Sequence, residues 1–442
     1  MGKDLVWART EADQALINQR VAALLSQPLG VEPAVQLALL NNRGLQAQFF
    51  ALGIGEAELL QAGRLPNPGF SFARLRRGDE VELERGWHIG LARLLVMPLL
   101  QDLAAQDLAQ TRLQVAAQVL TLAADTRAAW VQAVAAEESL RYARQVTAAA
   151  EASAELAQRM LAAGNFNKLQ QAREQRFQAE AALRQAQAQR LQRSSRERLT
   201  RLLGLEGAQT GAQTGAQMAY RLPERLPDLP DLAAAADDLP DLERTALAQR
   251  LDVAGATLAV QQTARSLGLN QATRFINLLE VGAVANGASN APTQRGWTLS
   301  LEVPLFDWGD ARIARSQAVY MQAVNRAAQT ATNARSEVRE AYDNYRSAYD
   351  IARQHRDALV PLQQRISQEN VLRYNGMLIS VFELLADARV QIAGVSEAIG
   401  ATRDFWLARA DLDRALTGPA NLGVATGPAG LPSAANAGAA AH

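Results

Sequence analysis

The feature that most constrains this chain is a rod-length helical pattern that occurs twice. From about Leu99 to Ala163, the apolar residues Leu113, Ala117, Leu120, Ala124, Val131 and Val134 recur at steps of three, four or seven. That is the spacing of one packing stripe along an α-helix, and the alanines in it admit a close neighbour. At 1.5 Å per residue, about 65 helical residues span roughly 100 Å, more than one globular core requires. A second such pattern runs from about Asp310 to Tyr374, with a kink expected at Pro361. Each rod ends at a turn, the first at Gly164-Asn165 and the second within Asn375–Ser380, where either Gly376 or Ser380 matches Gly164. Returning helices are expected over about 168–203 and 380–416.

The rods belong to a larger duplication. Val96-Met97-Pro98-Leu99-Leu100 recurs as Glu302-Val303-Pro304-Leu305-Phe306, and Arg85-Gly86-Trp87 as Arg295-Gly296-Trp297. Ala38-Leu39-Leu40-Asn41-Asn42 has its counterpart in Ala246-Leu247-Ala248-Gln249-Arg250. The period, about 206 residues, is that of a duplicated half and not of a solenoid unit. The expected organisation is an N-terminal segment (1–30), a first structural repeat (31–206), a linker (207–240), a second repeat (241–417) and a disordered tail (418–442). Each repeat opens with a short helical segment, 31–63 or 241–267, then a strand pair, then the helical hairpin. The linker is read from the Gly-Ala-Gln-Thr repeats after Gly207, too small and polar to build a core, and from Pro223, Pro227, Pro230 and Pro240, which forbid helix. The tail is Gly/Ala/Pro-rich.

The strands decide the fold class. Trp297, Leu299, Leu301 and Val303 alternate with Thr298, Ser300 and Glu302, a two-residue period with one apolar face. Trp87, Ile89 and Leu91 alternate with His88, Gly90 and Ala92, and Phe70 and Phe72 with Ser71 and Ala73; Thr273–Asn286 is a looser strand. Two readings stand side by side. One is a soluble α+β domain with one buried sheet face. The other is a membrane barrel, with Trp297, Leu299 and Leu301 towards lipid and the polar residues towards water. Four strands cannot enclose a lumen, whereas three chains would supply twelve, and the same assembly would gather the hairpins into a hollow cylinder. Arg74 and Arg93 fall on the outward parity and count against the barrel unless they sit at a rim.

Composition removes other classes. Lys+Arg 45 balance Asp+Glu 45, so there is no basic nucleic-acid footprint. The chain is 48% hydrophobic and 20% charged, too apolar for disorder and too polar for a bundle of membrane helices. No cysteine is present, which removes disulfides, thiol nucleophiles and cysteine metal sites. Walker, dinucleotide and nucleophile-elbow motifs are missing, and His88, His355 and His442 are scattered. No catalytic, cofactor-binding or metal site is assigned. His88, Met97 and Met377 are the soft ligands considered, and they do not cluster. The first residues carry no signal-peptide pattern, so the sequence is expected to be cytoplasmic or a mature form.

At Gln61-Ala62-Gly63-Arg64-Leu65-Pro66-Asn67-Pro68-Gly69-Phe70 and at Val303-Pro304-Leu305-Phe306-Asp307-Trp308-Gly309, the chain resembles the TolC-like outer-membrane factors. These are the helix-to-strand junction and the exit from the last strand, and the resemblance extends over about residues 31–416. It implies a homotrimer with a twelve-stranded outer-membrane barrel, four strands per chain, continued by a long periplasmic helical tunnel. It implies an exit duct for tripartite efflux or type I secretion, with outer-membrane lipid, a periplasmic adaptor and an inner-membrane pump as partners. Members of the family carry a signal peptide, often a lipoprotein one with an acylated cysteine. The rival from another class is a soluble or periplasmic coiled-coil scaffold or adaptor without a barrel.

The expected sites follow from that frame. Gly164, Asn165, Asn375, Gly376 and Ser380 mark the hairpin tips and the partner-docking end, with glycine supplying a positive φ. Glu383 and Asp387, four apart on one helix face, would become acidic rings in a trimer, or else form a solvated face beside Arg389. Tyr342, Tyr345 and Tyr349 read as a helix-packing stripe.

Overall fold

The structure is a computed structural model describing residues 2–205, 220–231, 239–273, 279–289, 291–302, 306 and 308–418. Among them, β1 (Gly69–Arg77), β2 (Glu80–Gly90), β3 (Leu279–Ala288) and β4 (Ala291–Leu301) form one antiparallel sheet in the order β1-β2-β3-β4. β1 and β4 are its edges.

Three short helices precede β1: α1 (Glu11–Leu25), α2 (Val31–Asn41) and α3 (Arg43–Ala62). α1 lies in the N-terminal segment, 1–30, for which no element is assigned from the sequence. Thr10 caps it, its hydroxyl accepting from the Asp13 N–H while Asp13 accepts from the Thr10 N–H. From β2 the chain passes directly into α4 (Leu91–Ala162), of 72 residues, about 108 Å long. Leu91, Ala92 and Arg93, given strand parity above, are therefore helical. Pro98 lies inside α4 and does not precede it. Its missing N–H frees one carbonyl near the helix start. α5 (Lys168–Leu202) returns alongside α4.

The second half runs through α6 (Leu239–Gln249), α7 (Leu251–Ala272), β3, β4 and α8 (Asp310–Gln354). Pro240, read as linker, sits in the first turn of α6, where a missing N–H costs nothing. α8 leads into a π-helical turn, His355–Leu359, and α9 (Val360–Asn375), with Pro361 in the first turn of α9. A proline there cannot donate to the preceding turn, and the wider π turn absorbs the lost bond. α10 (Val381–Thr417) returns along α8 and α9. The linker repeats at 207–217, the tail beyond Gly418 and the Val303-Pro304-Leu305 exit lie outside the described residues.

The main core forms a collar part-way along the rods. Leu37 and Leu40 of α2, Val134 of α4 and Leu199 of α5 are all at most 1% exposed and belong to one cluster. Each such side chain contributes about 1.5–3 kcal/mol by leaving water. Tyr220 and Leu226, in the extended stretch after the first half, seal the same cluster. A second cluster packs Tyr342, Tyr345 and Tyr349 of α8 around Phe405 of α10. Of the stripe expected along α4, Ala124, Val131 and Val134 are buried, whereas Leu113, Ala117 and Leu120 are half-buried and Val115, Val119 and Ala123 are buried beside them. The stripe chosen from spacing is thus one flank of a wider apolar surface, because α4 has α2, α3, α5, α7 and α10 around it.

Candidate functional site

The sheet sorts its residues by chemistry. Phe70, Trp87, Ala283 and Trp297 stand in one cross-strand row, with the Phe70 and Trp87 rings 5.0 Å apart. Ile89, Val281 and Leu299 form the next row towards the helices, and Leu279 pairs with Leu301 beyond it. These side chains share one face, and Trp297 (77% exposed), Leu299 and Leu301 have no covering element in the single chain. The opposite face carries His88, Thr298, Ser300, Glu82, Glu84 and Glu280.

Small residues crowd that polar face. Gly69, Gly86, Gly90, Gly282 and Gly296 all lie on it. A Cβ at Gly282 would come within 2.6 Å of the Trp87 carbonyl oxygen and 2.7 Å of Thr298 Oγ1, and one at Gly69 would collide with the His88 ring. Side chains converge on the concave side of a curved sheet, so glycine there permits curvature towards the polar face. His88 is accounted for as the ring covering Gly69. Met97 is half-buried within α4, and Met377 lies on an exposed turn. Among the described residues no three His, Cys, Asp or Glu side chains come together as a metal site.

The first tip is a helix stop built on Gly164. Its N–H donates to the Leu161 carbonyl, the Asn165 N–H donates to that of Met160, and Gly164 has φ +76°, the Schellman arrangement. Asn167 then caps α5 reciprocally with Gln170. The second tip has the same hydrogen bonds one position away from expectation. Met377 donates to Tyr374 and Leu378 to Arg373, and the left-handed residue is Met377, with φ 56°, while Gly376 has φ −79°. Gly164 therefore corresponds to Met377, not to Gly376 or Ser380, and the glycine rationale for Gly376 is corrected. Ser380 instead caps α10, its Oγ accepting from the Glu383 N–H.

Glu383 completes that box by accepting from the Ser380 N–H at 3.2 Å. Asp387 accepts from Gln363 Nε2 at 3.4 Å. Both carboxylates have partners within the chain, Glu383 exposed and Asp387 half-buried.

A third feature has no sequence signature. Glu174 of α5 is 3% exposed. It accepts from Arg389 Nη2 of α10 at 2.6 Å and from Ser153 Oγ of α4 at 2.8 Å. The Arg389 guanidinium also covers the Phe177 ring at 4.6 Å, and its buried Nε has no hydrogen-bond partner. Three helices from both halves thus meet within about three turns of the two tips. A buried acid is tolerated only with such a partner.

No helix among the described residues is long and apolar enough to cross a membrane. No family model and no curated protein sequence matches the chain. Solved structures do match. A membrane protein from Pseudomonas aeruginosa has a TM-score of 0.72 at 20% identity, covering 87% of this chain and 93% of that one. The outer-membrane channel OprN has 0.70 at 16%, covering 95% and 93%. CusC, described for its transmembrane channel formation, has 0.68 at 18%, covering 88% and 92%. At these identities the likeness is one of fold. The chain has the TolC-like outer-membrane factor fold, from the sheet to the helical tips.

Proposed function

We propose that the chain is one third of a trimeric exit duct in the outer membrane, passing cargo by geometry and not by catalysis. The observation that carries this is the sheet: four strands, two open edges, a bare aromatic and aliphatic face, and a polar face with glycines where curvature would crowd it. Three copies close twelve strands without an edge. The apolar face then meets lipid, with Trp297 near an interface and Leu299 and Leu301 in the apolar band. In this reading 31–206 and 241–417 are the two structural repeats, joined by 207–240, and the rods form a tunnel reaching across the periplasm.

The tips are the partner-docking end. Met377 is 93% and Leu378 77% exposed, and Leu169 and Leu372 are also exposed. Such apolar side chains at the end of a rod fit a helical adaptor that connects the duct to an inner-membrane pump, in efflux or type I secretion. Glu383 and Asp387 line the narrow end as paired acidic rings. The contact of Glu174 with Arg389 holds the two hairpins of a chain together beside the aperture, so a partner that separates them widens it.

The test is mass in detergent together with two arginine substitutions. The duct requires a threefold assembly, and a monodisperse monomer stable without detergent would favour the soluble scaffold instead. Leu299→Arg places a charge in the apolar band at a cost of about 2–4 kcal/mol, whereas Ser300→Arg faces water. Membrane assembly should fall for the first and persist for the second, and equal tolerance refutes the assigned faces.

A further inference from the structure

The acidic residues of the sheet are confined to one face. Among the described strand residues, Glu80, Glu82, Glu84 and Glu280 all lie on the polar face, and the apolar face has no acid at all. That face does carry arginines, and only towards the β-hairpins. Arg85 and Arg295 stand in one row with Phe72 and Ala285, Arg74 lies one row further out, opposite Leu83, and Arg76 lies beyond it, opposite Val81, its Nε donating to the Gly78 carbonyl of the hairpin turn. Arg74, Arg85 and Arg295 are exposed. Below them come the rows of Trp297, Leu299 and Leu301, so Arg295 lies about 20 Å of strand from Leu301. Arg85 and Arg295 are separated by one intervening strand, about 10 Å, a spacing at which two guanidinium groups reach one diphosphorylated headgroup or two neighbouring ones.

Charges on edge strands commonly protect a sheet from mispairing, which would explain Arg74 on β1 and Arg295 on β4. It does not explain Arg85, which lies on the inner strand β2, paired on both sides. Nor does solubility explain why every strand acid avoids this face. A cationic belt immediately beyond an apolar band, with an aromatic residue in its first row, is the arrangement that meets anionic headgroups. Guanidinium groups bind phosphate through paired N–H donors.

We propose that Arg74, Arg85 and Arg295 form a binding surface for phosphorylated lipid headgroups in the leaflet around the hairpin end of the barrel. The proposal rests on the barrel reading above and adds to it the class of lipid that the barrel selects.

The experiment uses the full chain. It is reconstituted into phosphatidylcholine vesicles carrying a minor fraction of bis-phosphorylated lipid A, or the same fraction of dephosphorylated lipid A, and the lipid co-purifying with the protein is quantified. Each arginine near an anionic surface contributes about fivefold in affinity. The single variants Arg74→Gln, Arg85→Gln and Arg295→Gln should each lower retention of the phosphorylated lipid by that factor, and the triple variant should abolish its preference over the dephosphorylated form. Glu82→Gln with Glu84→Gln, on the other face, should leave retention unchanged. Displacement by millimolar inorganic phosphate would show a free-anion site and overturn the lipid assignment. A triple variant that inserts as a trimer yet retains phosphorylated lipid like the wild type overturns the proposal and spares the barrel. A wild-type protein that enters neither kind of vesicle overturns the barrel reading itself.

Discussion

Removing Arg389 should loosen the tip end of the rods by an amount that the structure sets. Glu174 is 3% exposed and its carboxylate has two donors, Arg389 Nη2 and Ser153 Oγ. Arg389→Ala leaves a buried carboxylate with one neutral donor. Truncating one partner of a buried pair costs about 3–5 kcal/mol. The guanidinium here is not sealed, since the Arg389 side chain is 35% exposed, so the lower range of about 2–3 kcal/mol applies. Glu174→Gln keeps an acceptor for Ser153 and strands only a partly hydrated cation, costing about 1–1.5 kcal/mol. In the double variant nothing charged remains buried, so the two losses should not add, and a coupling of about 1–2 kcal/mol is expected. Global unfolding of a membrane trimer is seldom reversible, so native-state amide exchange is the better assay. Amides of α4 around Ser153 and of α10 around Arg389 should exchange about 30-fold faster in Arg389→Ala, the equivalent of about 2 kcal/mol, with the collar around Val134 unchanged. If the pair restrains the aperture, single-channel conductance should rise in the same variant. Additive losses, with coupling below about 0.5 kcal/mol, would mean that the contact holds nothing together.

Two further outcomes are expected. Met377→Gly should stabilise the second tip by about 0.5–1 kcal/mol, because a side chain at φ 56° carries a left-handed penalty that glycine lacks, less its own entropy cost; slower exchange of the α9 C-terminal amides is the readout, and no change refutes the strain. Burial holds the Glu138 carboxyl above the usual carboxylate range, while the Leu226 N–H, Arg141 and Arg225 pull it down. The folded chain therefore binds this proton more tightly than the unfolded chain, and stability is lost as pH rises through the raised value. Glu138→Gln should flatten thermal stability between mildly acidic and neutral pH, and an unchanged pH slope would show that the group does not contribute.

The helical part was legible where local chemistry writes the signal. The rods followed from periodicity and the first tip from Gly164, whereas the capping pair that starts α10, Ser380 with Glu383 three residues on, stood in the sequence without being read as one. The same capping pattern stood at Thr10 and Asp13 and could have revealed α1. Two features were not legible. At the second tip the hydrogen-bond pattern outweighs the residue preference, so the turn settles on Met377 with a glycine immediately before it. The contact of Glu174 with Arg389 joins positions 215 residues apart, and no spacing rule reaches across the two halves. The stripe along α4 was half right for a related reason. Periodicity finds an apolar face, but the neighbours decide how wide that face must be, and α4 has five helices against it.

The sheet shows what a two-residue period establishes and where pairing has to take over. Alternation along β4 separated Trp297, Leu299 and Leu301 from Thr298 and Ser300, yet it fits a soluble sheet as well as a barrel wall. Register adds what no strand has alone: rows across four strands. In those rows the polar-face glycines come to lie beside bulky neighbours, His88 against Gly69 and Thr298 against Gly282. A soluble sheet with one buried face places its bulk on that face and leaves the other open to water, with no need for small residues there. A sheet that closes towards its polar face needs the reverse, small residues where side chains converge and bulk where they diverge. Arg74 argued against a barrel as an isolated outward charge. Placed in its row, it lies beyond the aromatic residues at the hairpin end, beside Arg85 and Arg295, where the outward face changes from apolar to basic.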